Sequence, residues 1–145
     1  MRGLLGELLS SQTDITVVDM EAGLEHLSRS GGTLRFVDHL LVVTEPYARA
    51  IETARRTVRL ASALGIGTIG LLANKVRDDS ELRLLEAVRE ETGAPLVGSI
   101  PYDEAARLAD RQGQPPIEVA PDSALVRSIE QLASALEAEW SAAAA

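Results

Sequence analysis

The sequence contains no cysteine, one lysine, one phenylalanine and one tryptophan among its 145 residues, and each scarcity removes a class of chemistry. Without cysteine there is no disulfide, no thiolate metal site and no thiol nucleophile. The only lysine is Lys75, and the other thirteen of the fourteen basic residues are arginines. A lysine-dependent mechanism therefore has one position to use. No apolar run approaches the roughly 20 residues that span a bilayer and no signal peptide is seen, so the expectation is a cytoplasmic protein with no transmembrane segment. The 22 acidic against 14 basic residues give a formal net charge of −8. That argues against a nucleic-acid partner, because phosphate backbones require a basic face. The two histidines, His26 and His39, are too few and too isolated for a metal site and are read as structural.

What is present is an ordinary globular composition, 46% apolar and 25% charged, long enough for one domain with its own core. Short, nearly continuous apolar runs mark strands at Ile15–Asp19, Leu40–Thr44, Thr68–Ala73 and Leu96–Ile100, as expected for parallel strands buried on both faces. Helical spacing predicts helices over Gly3–Leu9, Tyr47–Leu64, Ser80–Thr92 and Ala105–Arg111. A last helix begins near Pro121-Asp122-Ser123, with Leu125, Ile129, Leu132, Leu136 and Trp140 on one stripe. Gly65 and Gly93 are placed as left-handed helix ends, and Asp78-Asp79-Ser80 as an N-terminal cap. The expected fold class is α/β: a doubly wound, mainly parallel sheet with helices on both faces. Residues 1–141 form one domain, and residues 142–145 fray.

Several strand ends carry chemistry. Val17-Val18-Asp19 ends in a carboxylate that can hold the hydration shell of Mg²⁺, although a plain turn cap explains Asp19 equally well. Gly23 would let a loop approach a terminal phosphate closely. Asn74, after the third strand, can offer paired donor and acceptor groups to a purine edge, and the stem of Lys75 can lie along a base face. Alone, Asn74-Lys75 is also an ordinary strand-end turn. Pro101 fixes the chain leaving the fourth strand, so that the Pro101–Asp103 loop can wall a base pocket. Thr44-Glu45-Pro46 is read as structural.

In this order and spacing, Val17-Val18-Asp19-Met20-Glu21-Ala22-Gly23-Leu24-Glu25-His26-Leu27, Val42-Val43-Thr44-Glu45-Pro46, Asn74-Lys75-Val76 and Ile100-Pro101-Tyr102-Asp103 resemble the MinD/ParA branch of P-loop ATPases. Within it they are most similar to the CooC-type ATPases that help insert nickel into carbon monoxide dehydrogenase. The resemblance covers about Arg2 to Leu136. It implies a Walker B role near Mg²⁺ for Asp19 and a switch role for Gly23. It also implies an adenine-reading role for Asn74 with Lys75 beside it, and base-loop positions for Pro101 and Asp103. The implied cofactor is ATP or ADP with Mg²⁺. Glu21, Glu25 and His26 match the subfamily pattern with no chemistry assigned.

The departures bear on function. No G-x-x-x-x-G-K-[ST] occurs, although the family cradles its phosphates with that loop and its lysine. The upstream switch region and the Cys-x-Cys metal site associated with CooC-type proteins do not occur either. The chain opens in a helix at Met1–Leu5, so the expectation is the C-terminal portion of the family fold, lacking its N-terminal strands, with Met1 either internal to a longer protein or the start of a remnant. Two functions follow. One is part of an ATP-hydrolysing switch that acts in metallocentre maturation or positioning, dimeric in the family, and not competent for hydrolysis as this chain alone. The other is a non-catalytic nucleotide-binding or interaction module that pairs with a relative or a partner ATPase through an open sheet edge. A metalloenzyme client belongs to the first. An unrelated doubly wound enzyme finds no support in a nucleophile constellation, a G-x-G-x-x-G or a metal cluster.

Overall fold

The chain's structure, a computed structural model, describes residues 15–20 and 37–143. The Gly3–Leu9 helix, Gly23, Glu21, Glu25 and His26 lie outside the described residues, as does the side chain of Trp140. Three strands form the sheet: β1 (His39–Thr44), β2 (Thr68–Val76) and β3 (Leu96–Pro101). Between and after them come the helices α1 (Ala48–Ala63), α2 (Asp79–Thr92), α3 (Glu104–Gln112), α4 (Pro116–Val119) and α5 (Ala124–Ala143). The strand order is β1-β2-β3, parallel throughout. β1 and β2 stay in register from His39 opposite Thr68 to Thr44 opposite Ala73.

The apolar runs explain the layers. Alternate residues of β1 and β2 (Leu40 and Val42; Ile69, Leu71 and Ala73) pack into one cluster with Ile51, Ala54 and Val58 of α1 and Leu85 and Val88 of α2. Both crossover helices therefore lie on one face. The opposite face belongs to α5, where Leu132 lies against Gly98 beside Leu72. Gly70 and Gly98 admit this second layer: a Cβ on Gly70 would stand 2.8 Å from Val97 Cγ1. Of the α5 stripe, Leu125, Leu132 and Leu136 are half-buried, whereas Ile129 stays exposed. Among the α5 side chains described, Val126 is the most deeply buried, off the expected stripe.

Local signals hold where they are chemically specific. Asp78 caps α2, accepting from the backbone N–H of Ser80 at 2.8 Å and of Glu81 at 3.1 Å. Gly93 ends the same helix at φ 76°, and Gly65 follows α1 at φ 79°, a conformation that penalises any side chain.

One expected strand does not form. Ile15–Met20 pairs with no strand among the described residues, and Ile15, Val17 and Val18 are exposed. An apolar β-branched run becomes a strand only when a neighbour satisfies its backbone N–H and C=O groups, and among the described residues β1 is hydrogen-bonded to β2 alone. β2 runs three residues beyond its expected end at Ala73, through Asn74 and Lys75 to Val76. The short helix α4 was not expected; it starts on Pro116, whose fixed φ suits a first helical turn.

Truncating Leu85, which is completely buried, should cost about 3 kcal/mol as Leu85→Ala. Gly70→Ala should cost about 1–3 kcal/mol by overpacking. Urea midpoints read both, and a neutral Gly70→Ala would mean that α5 and β3 do not hold Val97 in place.

Candidate functional site

Because all three strands are parallel, their C-terminal ends share one edge, and the loops that follow bring Glu45 and Tyr47, Asn74 to Arg77, and Pro101 to Asp103 into one neighbourhood. Open α/β sheets bind ligands at this edge.

The centre of the edge is a break in register. Ala73 pairs with Ser99, and Val76 with Pro101, so β2 takes three steps while β3 takes two. Strict alternation would send Ala73 and Val76 to opposite faces. The extra residue returns Val76 to the face of the Ala73 cluster, where it packs. The backbone closes this bulge by putting Lys75 at φ 57°, the only non-glycine with positive φ among the described residues. For a residue with a Cβ that conformation costs on the order of 1 kcal/mol.

Polar groups on the bulge then have distinct fates. The Lys75 ammonium donates to Glu45 Oε1 at 2.5 Å. This hydrogen bond first, and the charge of the same carboxylate second, raise the lysine above its ordinary value. Both side chains are partly exposed, so the pair orients the β1 loop more than it stabilises the fold. Asn74 is half-buried, and its amide makes no hydrogen bond to another described residue. A free donor and acceptor side by side suit a purine edge.

Tyr102 of the Pro101–Asp103 loop, together with Arg77 and Tyr47, which were not singled out from the sequence, links the loops. Arg77 stacks its guanidinium over the Tyr102 ring, 4.4 Å from its centroid, and Arg77 Nη1 donates to the Tyr47 hydroxyl at 3.2 Å. The backbone N–H of Tyr102 donates to the Val76 carbonyl at 2.8 Å. One side chain from each loop thus takes part. A usable signal existed: the chain has two tyrosines, and each follows the end of a strand.

Asp103 is occupied. One carboxylate oxygen accepts from Ala105 N–H at 2.8 Å, at the start of α3, and the other from Leu125 N–H at 3.1 Å, at the start of α5. These backbone donors, Ala105 foremost, hold its carboxyl below the usual carboxylate range. A single side chain caps two helices and fixes the Pro101–Asp103 loop to α5.

Asn74, Lys75, Pro101 and Asp103 are therefore brought together. Asp19 is not among them. Its neighbour Met20 packs with Val37, Leu40, Leu60 and Ile69 around Ala61 and Ile66, where β1 and β2 begin, at the opposite end of the sheet. Asp19 itself is exposed, and no group of three His, Cys, Asp or Glu side chains among the described residues could hold a metal.

Asp103 gives a pH prediction. Its folded carboxyl titrates below its unfolded one, so the native state binds fewer protons and the stabilisation is complete above the unfolded value, near 3.9. It is lost as pH falls through the folded value. Asp103→Ala should cost about 1 kcal/mol at neutral pH, as an N-cap loss. Asp103→Asn should flatten the acid arm of stability against pH below about pH 4. Urea unfolding across a pH series measures both, and parallel acid arms for parent and Asn variant would contradict the double cap.

Comparison with known proteins agrees with this geometry. The CobQ/CobB/MinD/ParA nucleotide binding domain matches residues 3–117. An uncharacterized ATP-binding protein of Methanocaldococcus jannaschii is 36% identical over 91% of this chain and 49% of its own length. The carbon monoxide dehydrogenase accessory protein CooC of Rhodospirillum rubrum is 36% identical over 83% of this chain and 44% of its own. Among solved structures, the Pyrococcus furiosus cell division ATPase MinD superposes with TM-score 0.64 at 26% identity, over 82% of this chain and 49% of that one. The Pyrococcus horikoshii septum site-determining protein MinD, complexed with Mg-ADP, superposes with TM-score 0.70 at 20% identity, over 93% and 54%. The chain spans about half the length of the curated relatives it matches. A parallel sheet and a family match over most of its residues together place the chain in the CobQ/CobB/MinD/ParA nucleotide-binding domain family.

Proposed function

We propose that this chain is the base-binding part of an ATP-dependent switch of the MinD/ParA/CooC type, and that the C-terminal edge of its sheet receives the adenine of ATP or ADP. The observation that carries this reading is the half-buried amide of Asn74 at the end of the central strand, which hydrogen-bonds to no other described residue. Asn74 would take the purine edge and the stem of Lys75 would lie along the base. The loop from Pro101, held by the double cap of Asp103, would wall the pocket.

The residues fit the base better than they fit the metal. A bound Mg²⁺ would neutralise phosphate charge in such a switch. Asp19 is the residue proposed to hold its water shell, a role that rests on the motif Val17-Val18-Asp19, since its carboxylate lies away from the Asn74 edge. The switch role of Gly23 rests on the motif alone. Residues 1–145 hold no G-x-x-x-x-G-K-[ST], so nucleotide binding by this polypeptide should be weak and hydrolysis absent. The proposed setting is a cytoplasmic homodimer or a complex with a partner ATPase chain; no described helix is long and apolar enough to cross a membrane. By likeness to CooC, a metalloenzyme is the client. A second reading, a non-catalytic module that pairs with another chain, is favoured by one observation: β1 is hydrogen-bonded on one side only among the described residues, with Val43 exposed beside that edge.

Calorimetric titration of purified residues 1–145 with ADP and Mg²⁺ should show weak binding that Asn74→Ala reduces by about tenfold, the worth of one good hydrogen bond. Equal affinity of parent and variant would put the base elsewhere. ATP turnover should not rise above trace, and steady turnover by this polypeptide would sink the division of labour proposed here.

A further inference from the structure

The bulge at Asn74-Lys75 does something the side-chain chemistry does not require. The Lys75 ammonium is engaged with Glu45, yet the residue also occupies the one strained backbone position among the described non-glycine residues. The strain has a local purpose that register makes visible. Without the extra residue between Ala73 and Val76, alternation would place Lys75 on the face of Ala73, toward the apolar cluster that holds Leu85 and Leu82, and would take Val76 out of it. With it, Val76 joins the core, Lys75 is exposed, and Asn74 is left half-buried with an amide that no other described residue engages.

We propose that Lys75 is a positioning residue that acts through its left-handed backbone, holding the Asn74 amide in the orientation that reads the base; this rests on the base-edge function proposed above. What position 75 needs is tolerance of positive φ, and the ammonium is secondary. Bulges re-aim side chains beside binding sites in this way, and strained backbone persists where surrounding structure over-determines it. Here Val76 in the core on one side and the Ala73–Ser99 pairing on the other supply that determination.

The test separates backbone from charge. The full chain and its Lys75→Gly, Lys75→Ala, Lys75→Val and Asn74→Ala variants are titrated with ADP and with GDP in the presence of Mg²⁺, and each variant's thermal midpoint is recorded. Lys75→Gly deletes the ammonium and the stem but accepts positive φ, so its ADP affinity sets the cost of losing the side chain with the backbone kept. Lys75→Val deletes the same charge but resists that conformation. It should bind ADP about tenfold more weakly than Lys75→Gly, the loss of the Asn74 base contact, and its preference for ADP over GDP should shrink. Lys75→Ala should fall between them, and carries the comparison if the Val variant does not fold. Equal losses in the Gly, Ala and Val variants would show that the side chain and not the backbone of Lys75 matters, and the inference would be wrong while the base-edge function stands. Unchanged ADP affinity in Asn74→Ala, or no ADP binding by the parent, would remove the base-edge function and this inference with it.

Discussion

The hydrogen-bond ladder along both sides of β2 is the constraint from which the rest of the molecule takes its position. A strand paired to β1 on one flank and β3 on the other has no backbone edge left for solvent, so its side chains must be apolar on both faces and both faces need cover. That demand draws α1 and α2 onto one side and α5 onto the other. Parallel pairing forces each crossover to return to the same end of the sheet. The three strand ends that carry polar residues consequently meet at one edge, and the candidate site is a product of the ladder before any side chain is considered.

At that edge two requirements compete within three residues. Val76 gains by joining the core with Leu82, and Asn74-Lys75 must stay out of it. A period of two cannot satisfy both from Ala73 onward. The extra residue in β2 resolves the conflict at the expense of one unfavourable φ, while Glu45 takes up the charge that is turned outward. Arg77, stacked on Tyr102 and bonded to Tyr47, ties the loop leaving the bulge to its two neighbours, so the edge is cross-linked by side chains as well as by the sheet.

The parts legible in the sequence were those whose cause is local. The runs Leu40–Thr44 and Leu96–Ile100 lie within one residue of β1 and β3, and Asp78, Gly65 and Gly93 cap helices as expected, because a cap depends on a few adjacent residues. Asn74, Lys75, Pro101 and Asp103 share an edge because parallel topology puts them there. The misses depend on partners elsewhere. Ile15–Asp19 has strand chemistry, but a strand is a property of a pair. The continuation of β2 through Asn74 and Lys75 was hidden because two polar residues look like a strand's end unless the bulge is known. Asp103 reads as a loop residue; that its second oxygen holds Leu125, 22 positions away, is not visible from either segment alone.

That same carboxylate shapes how the chain can assemble. The ladder between β1 and β2 requires each strand to find its partner across the whole of α1, whereas Asp103 meets the start of α5 across 22 residues already shortened by α3 and by the Pro115-Pro116 turn into α4. The two separations differ by only a few residues, so their closure entropies are nearly equal, and what distinguishes the Asp103 contact is that one side chain holds two helix starts at once. The latch sets where α5 begins, and α5, which packs on β3, is thereby delivered onto the sheet by the loop that leaves that same strand.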